Sequence, residues 1–266
     1  MINRVPLTRG RVLALVIGVP LVLAIIGWSA LTAVAFAGQG SYPVRLNLPV
    51  HGRTVNFSVD SGNATVSSGD VTLGQTAGDR LVVTGTAHYS LVRSTVTHSV
   101  TASETTVSSH CRFVTGVCSF NYRVGVPAGV RTVVSSASGN LTLRGLSGYV
   151  NAAGGSGNIA GTGLSGPRVA LENGSGDITV SGLASADVTA SAGSGNITLT
   201  FTKVPRRVSV SNSDGDVRLV LPPGDTPYHV EARTSDGSSF VKVPQNLHSP
   251  HVIKVSAGSG NISITN

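Results

Sequence analysis

Three aspartates are the residues best suited to chemistry: Asp214, Asp216 and Asp236. Stacked on neighbouring coils about 5 Å apart, their carboxylates could hold a calcium ion or tune one another as an acid/base pair. Glycoside cleavage would need two such carboxylates across a cleft, often lined by aromatics. The plainer reading, and the one adopted, is that all three fill turn slots that Ser and Asn occupy elsewhere in this chain. Cys111 and Cys118 are the two cysteines, with six residues between them and His110 alongside. Zinc needs three or four ligands and there is no further Cys, so a disulfide stapling a hairpin in an oxidising compartment is expected. Gly154 to Ile159 resembles a calcium-binding nonapeptide, but Asn158 stands where an acidic ligand belongs. His248 and His251 flank Pro250 and read as a solvated loop. The Asn-x-Ser/Thr triplets at Asn63, Asn140, Asn173, Asn196 and Asn261 arise mostly from the repeat itself and are poor evidence for glycosylation. No nucleophile elbow or phosphate-binding loop is present. No catalytic, cofactor or metal residue is therefore assigned, and no cofactor is expected.

What must position these residues is a repeat. Gly139, Gly157, Gly176, Gly195, Gly215, Gly237 and Gly260 recur every 18 to 23 residues, preceded by Ser or Asp and followed by Asn, Asp or Ser. Those are turn-forming types, with Gly free to take a positive φ. Two residues on stand Leu141, Ile159, Ile178, Ile197, Val217, Ser239 and Ile262, apolar in all but one copy; four on stand Leu143, Gly161, Val180, Leu199, Leu219, Val241 and Ile264. Apolar residues also stand five before each glycine, from Val134 to Val255. Each unit is thus strand, tight turn, strand, with one buried face. Two short strands bury too little to stand alone, so stacked units must share one core. The expected fold is all-β: a β-solenoid of two-strand coils of about 19 residues, with the Asn/Asp slot forming a ladder of stacked side chains. A β-sandwich of hairpins is the alternative.

The chain divides into a tail (1–11), an apolar run (12–37), an irregular β part (38–130) and the repeat region (131–266). Ser61-Gly62-Asn63 and Ser68-Gly69-Asp70 look like degraded turn signals, and His88 to Cys118 breaks the period and reads as a cap or insertion. Val12 to Ala37 carries no charge and exceeds the roughly 20 residues a spanning helix needs. Arg4, Arg9 and Arg11 precede it, which places the N-terminus in the cytoplasm and the remainder outside. Cleavage after Ala35-Phe36-Ala37 is the competing reading. Charged residues make up only 12% and apolar ones 40%, which excludes a coiled coil and charge-driven disorder. The net charge of +7 draws on those three arginines. The rest is spread too thinly for nucleic acid, so no such partner is expected.

Tyr122 to Val130, Ser138 to Gly148 with the later Ser-Gly-Asn/Asp-Ile-Thr turns, and Val220 to Tyr228 resemble the DUF4097 family of adhesin-like β-repeat proteins. The resemblance covers most of residues 40–266. It implies an exported solenoid-like domain, commonly behind one membrane segment in bacteria, and carries over no catalytic residues. The function expected is that of a non-enzymatic, single-pass, membrane-anchored adhesin or surface-binding module. Its partners would be envelope glycans or another surface protein. The alternatives are a carbohydrate-active enzyme on a β-helix and an accessory subunit of an envelope-stress system.

Overall fold

The structure, a computed structural model, describes residues 17–60, 66–67, 69–111 and 117–266. Helix α1 (Val19–Ala37) is apolar on all its described faces, with Trp28 60% exposed. Among the described residues no helix is long and apolar enough to cross a membrane. Residues 12–16 of the apolar run lie outside them, as do the three N-terminal arginines and the turn signal at 61–63.

After α1 the chain is β. Each repeat sends its first strand into one sheet and its second into the other, so the two strands of a unit never pair with each other. Arg131–Ser138 turns into Leu141–Arg144, Val150–Ser156 into Ile159–Thr162, and Arg168–Ser175 into Ile178–Leu183. Asp187–Ser194 with Ile197–Phe201, and Arg207–Asp214 with Val217–Val220, continue the stack. Every neighbouring pair in this series is parallel, with Leu141 on Ile159, Ile159 on Ile178, Ile178 on Ile197 and Ile197 on Val217, and the register shifts once, between Val180 on Leu199 and Leu183 on Phe201. Parallel pairing between copies is what a solenoid requires and hairpins cannot give. The inward rows are completely buried, and Leu146, Leu164, Leu183, Phe201 and Leu221 add a further buried row from the return turns. Gly161, the small exception in its row, leaves space that Val180 and Leu164 fill.

The order of layers departs from the order of the sequence at both ends. The last coil, Val252–Ser259 with Ile262–Thr265, lies between Arg207–Val220 and the coil of His229–Asp236 with Ser239–Lys242, which ends both sheets. At the other end, Thr54–Asp60 with Val71–Thr76 lies between the coil starting at Arg131 and an outer coil of Glu104–His110 with Val117–Pro127. The first and last coils of the chain are therefore each held second from an end. Thr95–Val100 closes one sheet antiparallel to Glu104–His110, while Arg80–Ser90 and Gln39–Pro49 extend the other sheet antiparallel beyond Val117–Pro127. The period-breaking segment thus supplies both a coil strand and the covering strand.

Tyr122 anchors the first coils. Its ring meets Phe57 edge-on at 5.4 Å and stacks on Phe120 at 5.8 Å, and its hydroxyl lies 2.9 Å from Ser109 Oγ. Burial pushes its pKa up to about 12, partly offset by the Ser109 hydrogen bond. The folded chain therefore keeps this proton where the unfolded chain has lost it. Its contribution, about 2–3 kcal/mol, is fully present below about pH 10 and lost as pH rises towards 12. Urea midpoints measured from pH 8 to 12 should fall above pH 10, and less steeply in Tyr122→Phe.

Candidate functional site

The anchor glycines form one column. Each takes a φ between +96° and +143°, and a β-carbon on any of them would strike the backbone of the glycine one layer away. The column runs Gly69, Gly139, Gly157, Gly176, Gly195, Gly215, Gly260, Gly237. It includes the degraded copy at Gly69 and reverses the last two in sequence. Glycine is demanded twice over, by the turn and by the spacing between layers.

Beside that column runs a hydrogen-bonded ladder. Asn158 N–H donates to Asn140 Oδ1 (2.9 Å), Asp177 N–H to Asn158 Oδ1 (2.9 Å), Asn196 N–H to Asp177 Oδ1 (2.8 Å) and Asp216 N–H to Asn196 Oδ1 (2.9 Å). Asn261 N–H then donates to Asp216 Oδ1 at 2.7 Å, and Ser238 N–H to Asn261 Oδ1 at 3.1 Å. Asp70 carries the ladder the other way, accepting from Asn140 and donating its own N–H to Asn121 Oδ1. Towards the ends the expected stacked side chains also bond one another, Asn140 Nδ2 to Asp70 Oδ1 at 3.0 Å, Asn261 Nδ2 to Asp216 Oδ1 at 3.3 Å and Ser238 Oγ to Asn261 Oδ1 at 2.8 Å. Every rung, however, runs from a backbone N–H to a side-chain oxygen. That explains why Asn and Asp interchange: the slot needs only an acceptor at Oδ1.

Asp214, Asp216 and Asp236 stand in the turn slots, as read, and the stacking that would have put Asp214 and Asp236 on neighbouring layers is absent. The intercalated coil separates Asp214 from Asp236, and its Ser259 hydroxyl donates to Asp214 Oδ1 at 2.7 Å. Asp216 is a rung of the ladder. The reason is the layer order, which sequence spacing does not carry. Among the described residues no group of three or more His, Cys, Asp or Glu could hold a metal ion. His251 Nδ1 lies 2.9 Å from the Pro205 carbonyl, and the His248 N–H donates to Asn246 Oδ1 at 2.9 Å. Cys111 and Cys118 are joined in a disulfide, with Cα atoms 6.1 Å apart. It ties Glu104–His110 of one sheet to Val117–Pro127 of the other, so it links the two strands of a coil where a hairpin was expected.

Asn173 and Asn212 play a part that sequence reasoning missed. Both sit three residues before an anchor glycine, facing inward and almost completely buried. Asn173 Nδ2 donates to the carbonyls of Gly157 (2.8 Å) and Gly176 (2.9 Å), and Asn212 Nδ2 to those of Gly195 and Gly215 (both 2.9 Å). They satisfy arch carbonyls that would otherwise be buried bare. The signal was available: an amide alternating with Gly154 and Ala192 at one inward position. Asn173, so enclosed, is not open to glycosylation.

On the outer wall of this sheet lies a shallow trough of about 760 Å³. It runs along the stack, crossing the row Ser135, Ala153, Glu172, Ser191, Ser211, where one residue follows another layer by layer. Its floor is low because Gly155, Gly174 and Gly193 lie against the carbonyl of the layer before, where a β-carbon would collide.

A family model, described as Toastrack DUF4097, matches residues 128–265. The chain belongs to the DUF4097 family. That match covers the anchor glycines from Gly139 onward and the rungs of the acceptor ladder from Asn140 to Asn261. No curated protein matches the chain. Two crystal structures are similar to it. One is of a cell-adhesion candidate from Clostridium sporogenes, with 10% identity and a TM-score of 0.40, covering 85% of this chain and 99% of the other. The second is of an adhesin candidate from Parabacteroides distasonis, with 11% identity and a TM-score of 0.34, covering 85% and 96%.

Proposed function

We propose that this DUF4097 chain is a single-pass, membrane-anchored solenoid, held outside the cytoplasm, that attaches to envelope glycan and catalyses no reaction. The observation that carries the reading is the trough, which is continuous over several layers. It presents one hydroxyl, methyl or carboxylate per layer and has no convergent group at any point. An extended polymer can lie along such a row and gain affinity from many weak contacts, each layer offering one small or polar side chain about 4.8 Å further on. The anchor is supported by the uncharged run from Val12 to Ala37 and the arginines before it. The adhesion assigned to the similar structures is compatible with this reading.

Ala153→Arg and Ser191→Arg place long cations on the trough floor without entering the core. The full chain in detergent should be retained on immobilised cell-envelope polysaccharide, and both variants should elute early with an unchanged circular dichroism spectrum. Equal retention of all three proteins would refute the trough as the attachment surface. Capture of a single protein partner by wild type alone would move the ligand class from glycan to protein.

A further inference from the structure

The turn that leaves Arg80–Ser90 is held in an unusual form. Leu91 has φ +58°, the only positive φ at a non-glycine among the described residues, a conformation that costs a leucine and persists only when its surroundings impose it. Here they do. The Leu91 N–H donates to the Gly38 carbonyl at 3.0 Å, directly after α1 ends. Buried Ser90 accepts the Val117 N–H on its hydroxyl at 2.9 Å, and the Tyr42 hydroxyl donates to the carbonyl of buried Ser94 at 2.8 Å. The Arg93 guanidinium lies over the Tyr42 ring at 3.9 Å, and Tyr89 stands 6.1 Å from that ring. A turn clamped at both ends thus holds Leu91 and Val92 out to solvent, 38% and 41% exposed. Strain that presents two apolar side chains outward is hard to explain by the stability of the solenoid.

We propose that Leu91 to Arg93, with Tyr42 and Tyr89, is a collar that docks the base of the solenoid onto the lipid bilayer surface. The inference rests on the anchored reading of residues 12–37. Lipid is the occupant because the turn is hydrogen-bonded to the first residue after the apolar helix, so a helix inside a bilayer delivers the turn to its surface. The chemistry fits that depth. Leu91 and Val92 enter the boundary between headgroups and acyl chains, the two tyrosines lie at headgroup level, and Arg93 faces lipid phosphates. One helix alone leaves its cargo free to swivel; a second contact fixes the stack, and with it the trough, relative to the membrane.

Trp28 is the only tryptophan, so depth can be read at two places in turn. The full chain is reconstituted into phosphatidylcholine–phosphatidylglycerol vesicles whose lipids are brominated either near the headgroup or deep in the acyl chain. Wild type reports Trp28; the double variant Trp28→Phe, Val92→Trp reports the turn, and its exposed site tolerates the larger ring. The collar predicts that Trp28 loses emission mostly to the deep bromines, and that the variant's tryptophan shifts to the blue and loses emission mostly to the shallow ones. Unquenched emission from the variant, with Trp28 still quenched, overturns the collar and leaves the anchor standing. Unquenched emission from both overturns the anchor and the collar together.

Discussion

Gly176→Val should unfold the middle of the stack, lowering stability by about 3–5 kcal/mol. Gly176 has φ +105°, and a β-carbon there meets the carbonyl of Gly157. A β-branched residue therefore faces a forbidden backbone conformation and a collision between layers at once. Relief would require separating two coils whose parallel ladders and inward rows, Ile159 on Ile178 and Val150 on Val169, are in register. Because each layer is stabilised by its neighbours, a fault in the centre costs two interfaces. Gly74→Ala is the control: that glycine has ordinary φ and open space around it, so its loss should leave stability within about 0.5 kcal/mol or slightly raised. Urea unfolding of both variants decides the matter, and equal midpoints would refute the stacked column.

A shorter chain should be more robust than a longer one. Residues 1–226 end after the coil of Arg207–Val220 and should keep a cooperative transition. Residues 1–250 retain the coil of His229–Lys242 but lack the layer between it and the stack. At the inner positions the missing layer carries Ile253, Val255, Ile262 and Ile264, all buried, where the end coil has Val230, Ala232, Ser239 and Val241. Burying a large aliphatic side chain contributes roughly 1.5–3 kcal/mol, and the end coil cannot replace that by sliding down one layer. Limited proteolysis should clip residues 226–250 of the longer chain rapidly and leave 1–226 intact. Equal resistance would mean that the layers are interchangeable and that their order has no energetic weight.

Much of this was legible before any coordinates. The seven glycines, the alternating inward rows and the acceptor slot each depend on chemistry within a few residues, and each appears where the period places it. Even the exceptions were informative. Ser239 in the isoleucine row and Ser238 in the Asn/Asp slot mark the coil that ends both sheets, where a polar residue costs little. The buried amides of Asn173 and Asn212 were harder to find, because an inward Asn is legible only once the arch carbonyls it serves are known to be enclosed.

By itself the sequence determined the fold class, the turn chemistry and the uncharged run ahead of the first strand, since all three are local. Only the tertiary structure decided which coil lies on which, and hence that Asp214 and Asp236 are kept apart and that a strained turn sits beside the end of the helix. The physical reason is that parallel layers of near-identical period meet in the same register whatever their order. The choice falls to side-chain volumes and linker reach between segments distant in the chain, which no local pattern records.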